Sequence, residues 1–181
     1  NVDFTDSSST GASSDGGAFA FSCASYNDVT STISDSSFTN MVAGGSGGAV
    51  SILASTSPST GTSPFTLTSN TFTNSHSVGN GGCISIVVTG PSTAFSFSQQ
   101  DFTNCVSSGG SGGGVYLAYG DGSMSVAPIT LMSVNFNGCT AVVGHGGALS
   151  GIATASTIDH SSFTATDVDV VGSEATRGGG I

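Results

Sequence analysis

The chain alternates two short patterns from one end to the other. One is a phenylalanine followed by small polar residues: Phe4-Thr5-Asp6, Phe38-Thr39-Asn40, Phe72-Thr73-Asn74, Phe102-Thr103-Asn104, Phe136-Asn137-Gly138 and Phe163-Thr164-Ala165. The other is a glycine pair followed by a small residue and an apolar one, opening at Gly16, Gly47, Gly81, Gly112, Gly146 and Gly178. Successive phenylalanines are 34, 34, 30, 34 and 27 residues apart, so the period is about 32 residues. After each glycine pair the apolar residues alternate with small ones, as in Val50-Ser51-Ile52 and Ile84-Ser85-Ile86, which is the period of a strand with one buried face. A second alternating run precedes each phenylalanine: Phe65-Thr66-Leu67, Phe95-Ser96-Phe97 and Ile129-Thr130-Leu131, with Ile33 and Ile158 in the middle position elsewhere. Three short strands per repeat follow: the glycine-pair strand, this run, and the phenylalanine strand. All four prolines (Pro58, Pro64, Pro91, Pro128) fall between the first and second of these, where no ladder donor is needed.

Repeats of this length with serine, glycine and β-branched residues in place of alanine, leucine and charge disfavour a helical solenoid. The expected fold is all-β: a right-handed parallel β-helix of about five to six coils of about 32 residues, forming a single domain over residues 1–181. Equivalent residues of successive coils then stack about 4.8 Å apart. This predicts a buried column of Phe4, Phe38, Phe72, Phe102, Phe136 and Phe163, and a turn at which Asn40, Asn74 and Asn104 bond along the stack. Thr5, Thr39, Thr73, Thr103 and Thr164 should line the outside, interrupted by Asn137. The small residues Ala18, Ala49, Cys83, Gly114 and Ala148 are expected on an outer face, making it smooth enough for lateral packing.

Charge narrows the choice of partners. The chain has one basic residue, Arg177, against eleven acids, a formal charge of −10, which repels phosphate backbones and anionic headgroups. No nucleic-acid partner is expected. No apolar run of about 18 residues is present, so no membrane insertion is expected, and the first residues do not read as a signal peptide. A lysine-free surface rich in serine, threonine and glycine suits an extracellular or cell-surface location.

Chemistry-bearing constellations are sparse. A lyase acting beside a uronate carboxylate needs cations to hold the developing anion, and Arg177 stands alone. A hydrolase needs clustered carboxylates; Asp167, Asp169 and Glu174, with Asp159 nearby, read as a solvated acidic loop, with a weak calcium site as the alternative. His76, His145 and His160 occupy different repeat positions and do not stack as a site. The glycine pairs lack the lysine and helix of a phosphate loop. No catalytic residue, metal or cofactor is expected, and the chain is read as non-enzymatic. Cys105 and Cys139 each follow their phenylalanine by three residues, so a disulfide between adjacent coils is expected there, two stacked thiols being the alternative. Cys23 and Cys83 occupy other positions and are left free or linked to a neighbouring chain.

The alternation of glycine-glycine-alanine-aliphatic and phenylalanine-x-asparagine elements resembles the repeats of the chlamydial polymorphic outer membrane proteins, over nearly the whole chain. The resemblance implies a surface-displayed β-helix associated with adhesion. Here asparagine falls two residues after phenylalanine, and no translocator barrel is present, so autotransport is not implied. Both ends fall mid-repeat without a capping segment, which suggests an interior length of a longer rod. Three functions remain: a structural repeat of an extracellular filament, appendage or surface rod, associating end to end, laterally or with further repeats of its own chain; an adhesin stalk binding a receptor or glycan through loops such as Ser55 to Pro64; and, more remotely, an ice-binding solenoid.

Overall fold

A computed structural model describes residues 2–23, 30–55, 64–89, 94–119, 128–153 and 163–180. Every pairing between strands is parallel, and each strand pairs with its equivalent one repeat away, so the chain is an all-β parallel solenoid. Three sheets run along it. The first, the phenylalanine sheet, contains Asp3–Thr5, Ser31–Ser34, Ser37–Thr39, Phe65–Thr73, Phe95–Thr103, Ile129–Asn137 and Phe163–Val171. A second sheet of short strands follows the asparagine turn: Ser8–Ser9, Val42–Ala43, His76–Ser77, Val106–Ser107, Thr140–His145 and Glu174–Arg177. The glycine-pair sheet is formed by Phe19–Cys23, Val50–Ser55, Ile84–Thr89, Val115–Tyr119 and Leu149–Ala153.

Three strands per coil are present, but they divide the repeat differently from the sequence expectation. From the third coil onward, the two runs before and at the phenylalanine form one nine-residue strand; the third strand is the short one after the asparagine. Within the long strand one residue has a left-handed backbone: Ser69 at φ 54°, Gln99 at 55°, Ser133 at 54° and Asp167 at 52°. That residue shifts the alternation by one, so Phe65 and Leu67 before it and Asn70 and Phe72 after it all face inward. In an earlier coil the equivalent Asp35, at φ 50°, separates two strands outright.

The core is a set of stacked columns. Phe4, Phe38, Phe72, Phe102 and Phe136 lie face over face, with ring centroids 4.8–5.1 Å apart and planes within 9°. Phe163 does not join them. It pairs with Ile129, stands in the column of Phe65 and Phe95, and is 51% exposed; Val170 takes the place opposite Phe136. The short interval of 27 residues recorded this: 34 residues back from Phe163 is Ile129, not a phenylalanine of the main column. Thr164 accordingly stacks on Thr130 and Val171 on Asn137, so the outer threonine ladder is Thr5, Thr39, Thr73 and Thr103. The middle position of the last run is Ala165, opposite Leu131; Ile158 lies outside the described residues.

The glycine-pair motif has two separate causes. Gly81 sits at φ 68°, and a Cβ on Gly82 would run into the carbonyl oxygen of Gly113 in the next coil. One glycine makes the turn and the next lets the coils approach. The small residues that follow are not an outer face: Ala49, Cys83 and Ala148 are fully buried. A Cβ on Gly114 would stand 2.7 Å from the carbonyl oxygen of Ala148 in the next coil and 2.8 Å from Cδ1 of Phe136, so backbone and phenylalanine column together leave no room for a side chain there.

Candidate functional site

Among the described residues, the phenylalanines and asparagines singled out by the sequence are organised as ladders running along the solenoid. At the turn after the phenylalanine, Asn40, Asn74 and Asn104 adopt φ of 58°, 53° and 53°, a conformation that asparagine tolerates better than most residues. Their amides bond in series. Asn40 Nδ2 donates to Asp6 Oδ1 at 2.8 Å, Asn74 Nδ2 to Asn40 Oδ1 at 3.4 Å and Asn104 Nδ2 to Asn74 Oδ1 at 3.1 Å.

A second ladder precedes the glycine pairs. Backbone N–H groups of Ser46, Asn80, Ser111 and His145 donate to side-chain oxygens of Asp15, Ser46, Asn80 and Ser111, at 2.6, 3.2, 2.8 and 3.1 Å. Its sequence signal, a short polar residue just before the glycine pair in most repeats, passes unnoticed when glycine dominates the motif. A third is buried. Asn70 accepts from the Ser36 N–H at 3.0 Å and donates to Ile33 O at 2.9 Å and Gln100 Oε1 at 3.1 Å, while Gln100 Nε2 donates to Ser98 O at 2.6 Å. These two amides are fully buried and partnered, and each stands two residues before a column phenylalanine, an offset the sequence shows twice running.

The disulfide differs from the expected one. Cys105 bonds to Cys83, with a Cα separation of 5.4 Å, and Cys139 is a buried free thiol. The expected Cys105–Cys139 bridge joined neighbours in one column, whose side chains point the same way. Cys83 instead meets Cys105 at the corner where the glycine pair abuts the short strand, Gly82 lying against Val106. Burial pushes the Cys139 thiol up to about 11, against weaker opposing hydrogen bonds from the backbone of Cys105 and Asn137. The side chain of Cys23 lies outside the described residues.

The acidic residues are spread out. Asp167 and Asp169 lie on the phenylalanine sheet, both exposed, and Glu174 is in the short-strand sheet opposite Thr140; Asp159 lies outside the described residues. Among the described residues no three His, Cys, Asp or Glu side chains are grouped to hold a metal ion. His76 pairs with Val42 and Val106 in the short-strand sheet, while His145 closes the ladder before a glycine pair, so these two histidines are not brought together; His160 lies outside the described residues. Most of the loop from Ser55 to Pro64, on which a stalk's binding was placed, also falls outside them. No helix of the described chain is long and apolar enough to cross a membrane.

One outer surface is more regular than the sequence suggested. On the first half of the long strands, two outward columns stand side by side: Thr32, Thr66, Ser96, Thr130 and Thr164, and Ser34, Thr68, Ser98, Met132 and Thr166. Nine of these ten side chains carry a hydroxyl. The fold agrees with the surface-protein β-helices that the repeat motifs resemble, while comparison with family models, curated proteins and solved structures finds no match, so no family is assigned.

Proposed function

We propose that this chain is a non-enzymatic structural segment of an extracellular filament, appendage or cell-surface rod. The observation that carries this reading is the destination of the repeated residues. The phenylalanine column, the asparagine ladder, the ladder before the glycine pairs and the buried Asn70–Gln100 pair all join one coil to the next. Repetition here serves length. A solenoid of this kind is stabilised by each coil against its neighbours, and the backbone ladders that join coils are the natural means of adding more, from the same chain or from a second copy.

Electron microscopy of the purified polypeptide, with fibre diffraction from aligned material, tests the reading. Extended rods or filaments with an axial repeat near 4.8 Å support it. Dispersed particles that bind cells or glycans through their loops favour the adhesin stalk, and turnover of a polysaccharide overturns the non-enzymatic assignment.

A further inference from the structure

We propose that the hydroxyl-bearing half of the phenylalanine sheet is a template for ordered water and binds the surface of ice. The argument starts from register. Thr32, Thr66, Ser96, Thr130 and Thr164 are Cα partners in unbroken sequence, and Ser34, Thr68, Ser98, Met132 and Thr166 form the neighbouring column. The inward residues between them, Leu67, Phe97 and Leu131, are 1% exposed, so the columns are fixed to a packed core. Six of the nine hydroxyls belong to threonine, which is stiff about its first side-chain torsion, and this limits how far those six wander. Among the described residues, none of the nine hydroxyls is spent on a hydrogen bond to protein, and each can both donate and accept.

The spacing is that of water. Oxygen atoms two hydrogen bonds apart in a tetrahedral network, with each bond about 2.75 Å long, are separated by about 4.5 Å. Adjacent coils are about 4.8 Å apart, so over the four steps of a column the mismatch grows to about 1.2 Å, less than half of one hydrogen bond. The two columns lie two residues apart along each strand, about 6.6 Å. No charged residue occurs in 31–34, 64–68, 94–98, 128–132 or 163–166, so no ion imposes its own radial hydration on this half of the sheet. The acids of this sheet, Asp3, Asp101, Asp167 and Asp169, and Asp35 between two of its strands, lie beyond these columns. The outward positions also carry no aromatic ring on which a sugar could stack, which favours a water lattice over a crystalline polysaccharide.

The test uses the whole chain. Thermal hysteresis and ice-crystal shaping are measured for the wild type, for Thr66→Lys/Thr130→Lys, for the isosteric Thr66→Val/Thr130→Val, and for Val78→Lys/Val142→Lys, which places the same charges on the exposed short-strand side. Folding of each is followed by circular dichroism. The expected result is hysteresis and faceted crystals in the wild type and the Val78/Val142 variant, lost with lysine and reduced at least twofold with valine. If the lysine variant fails to fold, the valine variant decides. A wild type without hysteresis or shaping overturns the proposal. So does activity that survives folded variants of Thr66 and Thr130, or binding to insoluble cellulose or chitin with none to ice.

Discussion

At the residue scale, position within a column decides what a side chain is worth. Phe72 is fully buried between Phe38 and Phe102, so Phe72→Ala should cost roughly 3 to 5 kcal/mol of unfolding free energy. Phe163, drawn from the same motif but 51% exposed in another column, should cost about 1 kcal/mol or less when truncated. Denaturant titration of both variants checks the contrast; similar losses would contradict the displacement of Phe163 from the main column. Cys139 adds a pH dependence. Its thiol titrates near 11 when folded, above the ordinary value of 9.0, so the folded state retains a proton that the unfolded chain releases. The resulting stability is fully present below about pH 9 and is lost as pH rises to about 11. The loss should be on the order of 2 to 3 kcal/mol. Urea titrations at pH 7 and pH 10.5 should show the wild type losing more than Cys139→Ala. The comparison isolates the thiol from Tyr116, which burial raises in the same direction.

At the scale of the element, the glycine-pair turn and the disulfide tie coils together at one corner. Gly82→Ala should destabilise the fold by several kcal/mol, because the added Cβ meets backbone atoms of Gly113 and Val106 rather than a movable side chain. Gly151, in the strand Leu149–Ala153 of the glycine-pair sheet, has nothing within 4 Å of such a Cβ, and Gly151→Ala should stabilise by about 0.4 to 1 kcal/mol. Thermal melts of the two variants should move in opposite directions. For the disulfide, peptide mapping of unreduced protein should recover Cys83 linked to Cys105, and Cys83→Ser should remove about 3 kcal/mol, the loop-entropy value for a separation of 22 residues. Recovery of Cys105 linked to Cys139 would refute the pairing. The long strand was legible only in part. Its alternating runs gave two inward faces, but the left-handed residues at Ser69, Gln99 and Ser133 that join them are ordinary polar residues, with no glycine to mark the bend.

At the scale of the molecule, the solenoid and its period were legible because one interaction geometry is repeated, so that six imperfect copies of a motif correct one another's noise. Local alternation fixed which residues face inward on each strand, and the phenylalanine and asparagine offsets fixed the register between coils from Phe4 to Phe136. Where a motif stood at a different distance, at Phe163, matching the letters misled and counting residues would not have. Tertiary structure alone decided the contacts that cross the interior from one sheet to another. A column relates residues at the same repeat position, and one sequence displays that directly. A corner relates different positions in different coils, as with Cys83 and Cys105 or Gly114 and Phe136, and only the path of the chain in space brings them together. The same holds outside: the hydroxyls of Thr66, Ser96, Thr130 and Thr164 are inconspicuous letters in a polar chain until strand register places them in one line.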